Sequence, residues 1–183
     1  MRTTWRWPRD HDEGDLIVSE MDEVIPALVA AVQEQHATGD HYRDDAIRQA
    51  MEHQAQLALR PGPVRVDVIV DPPWSDGQIN SVQVVTGDRP FLVDTVVSCL
   101  LRHGWRVEDV RHPIIGVKRD RGTIEAVGTP GRGGCASESW IHIDVTAPLG
   151  TDIGQAAEQL RNNLCACLDQ VVCATDDWGA MHE

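Results

Sequence analysis

The chain has 183 residues, 42% of them apolar and 25% charged, a composition that excludes wholesale disorder and suits one ordinary domain with an appendage. No apolar run approaches the ~18 residues of a bilayer span, and residues 1–14 lack an apolar signal segment, so no membrane role and a cytoplasmic address are expected. Sixteen basic against 29 acidic side chains give a net charge of −13, which repels phosphate backbones and argues against nucleic acid as a partner.

Residues 1–14 are polar, with scattered Trp and Arg, and read as loose. A helix follows, with Ser19 as a candidate N-cap and Pro26 inside the pattern. Proline in a helix interior costs about 3 kcal/mol, so a start near Ile25 is preferred. Residues 36–41 read as a loop around Gly39. From Asp44 to Leu59, one stripe recurs at helical spacing (Ala46, Ile47, Ala50, Met51, Gln54, Leu57, Ala58), and Arg60-Pro61-Gly62-Pro63 stops it.

The period then changes. Val64, Val66, Val68 and Val70 alternate as in a strand, and a turn-rich loop follows from Asp71 to Gly77. A second strand runs through Ile79, Val82, Val84 and Val85. Residues 91–102 read as a helix with one broad apolar face and Gly104 as its stop. It is rich in β-branched residues and should exist only when packed on a sheet.

Val107, Val110, Ile114, Ile115 and Val117 make a strand interrupted by His112-Pro113. Arg119-Asp120-Arg121-Gly122 is a hairpin-type turn, and residues 123–127 extend the pairing. Residues 129–137 read as a flexible loop. Residues 139–146 alternate as a strand with one buried face, residues 153–168 as a helix, and Val171-Val172-Cys173 as a last short strand.

From Ser81 onward the order is therefore β-α-β-β-α-β. The expected class is α+β: a ferredoxin-like unit with a four-stranded antiparallel sheet and two helices on one face, preceded by a small helical segment.

The turn Gly87-Asp88-Arg89-Pro90-Phe91 is the leading candidate for ligand binding. Gly87 permits unusual φ, and free N–H groups at the next helix start attract a carboxylate. Asp88 suits an α-ammonium group, or serves as an ordinary N-cap. Asp94, early in that helix, favours the helix dipole or meets a partner. His112 and His142 fall on strands that would be neighbours. With Asp144 or Cys173 they suggest a metal site, but the spacing matches no strong signature. The favoured reading has His142 facing outward, His112 holding the turn before Pro113, and no metal. Five cysteines, an odd count, give no disulfide framework. Cys165 and Cys167 would point apart on a helix and read as packing residues.

Four segments carry a resemblance. They are Arg89-Pro90-Phe91-Leu92-Val93-Asp94-Thr95, Arg111-His112-Pro113-Ile114, Arg119-Asp120 with Gly122, and Glu138-Ser139-Trp140-Ile141-His142-Ile143. The tail Asp177-Trp178-Gly179-Ala180-Met181 joins them. Together they resemble the N-terminal ACT-like region of the large NAD-specific glutamate dehydrogenases of bacteria, over roughly residues 42–181.

The resemblance implies a regulatory and assembly module. The parent enzyme would use NAD to deaminate L-glutamate oxidatively to 2-oxoglutarate. It implies no catalytic residue and no cofactor in this chain, and an excised or shortened chain. No G-x-G-x-x-G opens a helix here, and Lys118 is the sole lysine. The expected layout is a helical segment at 1–62, a strand and connecting loop at 63–77, an ACT-like domain at 78–175, and the start of a linker at 176–183. Asp94, His112, Trp140, His142 and Trp178 are expected as interface or structural motif residues. The expected partners are the remaining domains of the parent, further copies of the chain, and an amino-acid effector. Amino-acid-binding ACT domains usually carry Gly after the turn proline, where this chain has Phe91, which suggests a lost or altered pocket. The alternative is a free-standing ACT-type amino-acid sensor; a small metal- or thiol-dependent enzyme is remote.

Overall fold

The computed structural model describes residues 16–17, 21–35, 44–75, 77 and 79–180. The expectations for residues 1–14, Ser19 and the 36–41 loop lie outside them. The elements are β1 (Leu16–Ile17), α1 (Met21–Gln35), α2 (Asp44–Ala58), β2 (Val64–Ile69), β3 (Asn80–Gly87), α3 (Leu92–Arg102), β4 (Arg106–Arg111), β5 (Ile114–Asp120), β6 (Thr123–Gly128), β7 (Ala136–Thr146) and α4 (Ile153–Ala180).

Among the described residues the sheet has seven strands, where four were expected. Its path runs β1-β6-β5-β7-β3-β2, with β4 also on β7, and its pairings are antiparallel. β7 is long enough to take β5 and β4 in series along one edge, at residues 136–139 and 142–146. The break between them is His112-Pro113, where the Trp140 amide donates to the Pro113 carbonyl at 3.0 Å. Proline removes a ladder donor, and the chain answers by splitting one expected strand into two.

The expected last strand at 171–173 is helix. Nothing between Leu168 and Gly179 breaks the pattern, and Val171 packs with Leu160, Leu164 and Leu168 on the same apolar stripe. Three β-branched or small residues in a row were too short a run to separate strand from helix. β2 lies instead on the outer edge of β3.

Helices cover both sheet faces. α3 and α4 pack on Val82, Val84, Ile141, Ile143 and Val145. α1 and α2 pack on Val85, Ile115, Val117, Ile124 and Trp140. β7 is therefore buried on both faces rather than one. The alternating polar residues of 139–146 had suggested a wet face, but α2 roofs it.

α1 begins at Met21 and carries Pro26 within it, four residues before the expected start. Val24 and Leu28 flank the proline, 3% and 0% exposed. Their burial offsets the lost hydrogen bond. α3 ends as expected at Gly104, whose φ of 76° lets the Trp105 amide reach the Leu100 carbonyl at 3.1 Å. The β5–β6 turn uses Arg121 (φ 48°) and Gly122 (φ 90°), matching the primed turn that a two-residue hairpin prefers. The 129–137 segment, expected to be flexible, is tied by its own backbone bonds, among them Cys135 to Arg132 at 2.8 Å. Gly116 allows it to close: a Cβ there would lie 2.4 Å from the Gly128 carbonyl oxygen.

Candidate functional site

The turn from β3 to α3 differs from expectation in its details. Gly87 is still in the β3 ladder, opposite Glu138, and is not among the residues with positive φ. The left-handed residue is Phe91, at φ 70° and ψ 6°. It occupies the N-cap of α3 and gives no side-chain cap, so Asp88 is not the cap. A left-handed, non-glycine residue stores roughly 1–2 kcal/mol. Phe91 is 59% exposed, so it does not plug a space inside this chain. Asp94 stands exposed in the first turn of α3.

Asp88 and Arg89 are instead tied into the fold. The Asp88 amide donates to the Ser137 carbonyl at 2.8 Å, and its carboxylate accepts the Ser139 hydroxyl at 2.6 Å. Arg89 Nη1 donates to the Val172 carbonyl and to Thr175 Oγ1, at 3.2 and 2.9 Å. Those bonds clamp the turn to the second half of α4, the region expected to be a strand.

His112 completes a row with Ser139 and Asp88, its Nε2 lying 2.9 Å from Ser139 Oγ. The hydroxyl proton is directed at Asp88, so the oxygen accepts from His112 Nε2–H. Burial lowers the His112 pKa, against the pull of Asp88. A nucleophilic triad needs the imidazole between carboxylate and hydroxyl, taking the hydroxyl proton. Here the serine is in the middle, so His112 does not activate it.

His142 is not outward but buried, 5% exposed. Its Nε2 lies 3.0 Å from Asp144 Oδ1, and its Nδ1 3.1 Å from Gln83 Nε2. Gln83 Nε2 also donates to the Ala50 carbonyl at 2.9 Å, and Gln83 Oε1 meets His53 Nδ1 at 2.8 Å. These partners assign the tautomer: Gln83 donates to Nδ1, and Nε2–H donates to Asp144. Burial holds the imidazole pKa below its ordinary value; the Asp144 hydrogen bond opposes this. Asp144 also pairs with Arg111 and accepts from Ser81 Oγ at 3.3 Å. Ser81 in turn accepts from Trp74 Nε1 at 3.2 Å. His112 and His142 thus sit in separate networks, neither brought to Cys173, which lies exposed on α4.

Arg119 pairs bidentately with Glu138, at 2.6 and 3.0 Å. Trp140 is fully buried, with Nε1 unpartnered. The Trp178 side chain lies outside the described residues. Cys99 and Cys167 face one another across α3 and α4; burial, with that second thiol, pushes Cys99 up to about 11. The Cys99 thiol is therefore protonated at neutral pH, and both side chains serve as packing groups between α3 and α4.

Three of the segments that carry the resemblance therefore meet on β7. His112 and Asp88 meet at Ser139, Arg119 at Glu138, and Arg111 at Asp144 beside His142. Gln83 and His53 escaped the sequence reading, while Gln54 was placed on the inward stripe of its helix but given no role. Their one signal is polar residues at positions a strand or helix would bury, and it is indistinguishable from a solvated face until the covering helix is placed.

A family model of the glutamate dehydrogenase ACT1 domain matches residues 27–164. The match spans most of the chain and includes α2, the sheet core and the β3–α3 turn. The chain belongs to the glutamate dehydrogenase ACT1 domain family.

Proposed function

We propose that the chain is a regulatory and assembly module of an NAD-dependent glutamate dehydrogenase, without turnover of its own. The parent would deaminate L-glutamate oxidatively to 2-oxoglutarate, with NAD bound elsewhere in that enzyme. The observation that supports this most is the use made of the family's motif residues. Arg89, Arg111, His112, Arg119 and Glu138 each hold one element of this fold to another. Residues spent on internal pairing suit a scaffold rather than a reaction centre. We read the ACT-type core as β3, α3, β4, β7 and α4, with β2 in the place of the closing strand. The outer edge of β4 has no strand partner among the described residues, and an open edge is a place for a second copy or a further domain.

An amino-acid effector would act by preferring one arrangement of the larger enzyme. In this reading it sits at the 87–91 turn, where Phe91 keeps the backbone conformation that glycine would favour. The test has two arms. The chain alone and the enzyme carrying it are assayed for glutamate-dependent reduction of NAD. Activity in the enzyme alone is expected; turnover by the chain alone overturns the reading. Calorimetric titration of the chain with glutamate, leucine and other amino acids tests the turn. Tight binding together with no effect on dehydrogenase activity would favour the second reading, a free-standing amino-acid sensor.

A further inference from the structure

The polar contacts between α3 and α4 fix which of their residues face one another. Arg89, just before α3, meets Val172 and Thr175, and His103, just after it, meets Asn163. As one helix advances the other recedes, so the pair is antiparallel. His103 Nδ1 lies 2.8 Å from the Cys99 carbonyl, so Nδ1–H donates there, and Nε2 accepts from Asn163 Nδ2 at 2.8 Å.

One turn back along α3 from His103 is Cys99, and one turn on along α4 from Asn163 is Cys167. In an antiparallel pair those two steps end at the same level. Two contacts agree. Arg102 Nη2 lies 3.8 Å from Cys167 Sγ, and the Cys99 thiol is hydrogen-bonded to Cys167. The other cysteines stand elsewhere. Cys165 is about 200° round α4 from Cys167, Cys135 is buried in the 129–137 segment, and Cys173 is exposed farther along α4.

Exposure divides the two thiols. Cys99 is 0% exposed, whereas Cys167 is partly open to solvent. An oxidant therefore reaches Cys167 and leaves Cys99 to react with what Cys167 becomes.

We propose that Cys99 and Cys167 are a peroxide-responsive dithiol that closes reversibly into a disulfide between α3 and α4. The Cys167 sulfur attacks one oxygen of hydrogen peroxide. The O–O bond breaks, and Cys167–SOH and water result. The Cys99 sulfur then attacks the Cys167 sulfur. The S–S bond forms, the S–O bond breaks, and hydroxide leaves as water with the Cys99 proton. Two electrons pass from the thiols to the peroxide. Cys99, pushed up to about 11, offers little thiolate at neutral pH. Contact offsets this, because a reacting pair held together gains an effective molarity of about 10⁵ M or more. The bond would tie α4 to α3 shortly before Val172 and Thr175, which hold Arg89 of the 87–91 turn. None of this depends on the dehydrogenase reading.

The test treats the whole chain with hydrogen peroxide and maps its disulfides by mass spectrometry of unreduced peptides. A Cys99–Cys167 link is expected as the main product within the chain, and dithiothreitol should restore both thiols. The link should survive in a Cys165→Ser, Cys173→Ser double variant. In Cys167→Ser, Cys99 should lose its thiol at least about tenfold more slowly than in wild type. In Cys99→Ser, dimedone should trap Cys167 as its sulfenic acid. The oxidised chain should melt no lower than the reduced one, since the bond joins residues already in contact. The proposal is overturned by a main link through another cysteine, by loss of the link in the double variant, or by equal oxidation of Cys99 in Cys167→Ser. Absence of the dimedone adduct, failure of dithiothreitol to restore the thiols, or an oxidised chain that melts below the reduced one would overturn it equally.

Discussion

The two faces of the sheet are built on different principles. Beneath α3 and α4, Val82, Val84, Ile141 and Ile143 meet Leu92, Val96, Leu160 and Leu164, an apolar layer. Beneath α1 and α2, the apolar patch of Val85, Trp140, Ile115 and Val117 gives way to Gln83, His142, Ser81 and Asp144. The first face gains stability from area alone, and many apolar side chains would serve it. The second is satisfied in one arrangement only. Gln54 donates to the Ile141 carbonyl at 3.0 Å, and Gln83 to the Ala50 carbonyl, so these two bonds hold α2 in one register on the sheet. The difference teaches that one layer supplies cohesion and the other fixes where the covering helix sits.

The most severe test removes the carboxylate of the polar face. Asp144→Ala leaves Arg111 and His142 without their shared acceptor in a buried setting, which should cost about 3–5 kcal/mol in urea unfolding. On the other face Leu164→Ala should cost about 2–5 kcal/mol through its cavity. The conservative substitutions separate the mechanisms. Leu164→Met should cost under about 1.5 kcal/mol. Asp144→Asn should recover little, because a neutral amide cannot accept from His142, Ser81 and Arg111 together. An Asp144→Ala cost below about 1 kcal/mol would end the claim that this face is specified by its polar groups.

A smaller effect follows from His142. Its folded pKa lies below its ordinary value because burial penalises the charged ring. The unfolded chain therefore takes up the proton first. Stability is full above the unfolded pKa of about 6.5 and is lost as pH falls below it, at no more than about 1.4 kcal/mol per pH unit for one histidine. The groups acting on this ring are Asp144, Arg111 and Asp109 from the strands and, through Gln83, His53 from α2. Protonation would also set Nδ1–H against the Gln83 amide donor. His142→Gln should flatten the loss between pH 7 and pH 5, measured by urea unfolding at each pH. His112 shifts in the same direction, so part of the slope should persist. An unchanged slope in the variant would place the proton uptake elsewhere.

The apolar face was the legible one. Alternation in β2, β3 and β7 and the 3.6-residue stripe of α3 name most of its core, because area-driven packing writes itself as a period. The polar face was not legible. Gln83, His142 and Asp144 occupy the same alternating positions as solvent-facing residues, and only the helix laid over them makes them buried. Pairing order failed for the same kind of reason. Val171-Val172-Cys173 is locally as good a strand as a helix, and the choice was made by Leu160, Leu164 and Leu168 before it, together with β2 already on the β3 edge. The turn at 87–91 was located correctly, but which residue would take the left-handed conformation was not, since Gly87 is the residue that sterics alone would nominate.

Phe91, exposed at the N-cap of α3, offers the mildest test. Its left-handed backbone stores about 1–2 kcal/mol, and its exposed ring contributes little burial to set against it. Glycine adopts φ 70° without a Cβ clash but loses more freedom on folding, roughly 0.5–1 kcal/mol. Phe91→Gly should thus stabilise the isolated chain by about 0.5–1 kcal/mol, a net of those two effects. A rise in melting temperature checks it. If the isolated chain gains stability while the enzyme carrying the same substitution loses subunit or domain association, the ring is held strained for a contact outside this chain. If the isolated chain is destabilised, the ring already has its partner within the fold, and the turn belongs to the apolar core rather than to a surface held open for another molecule.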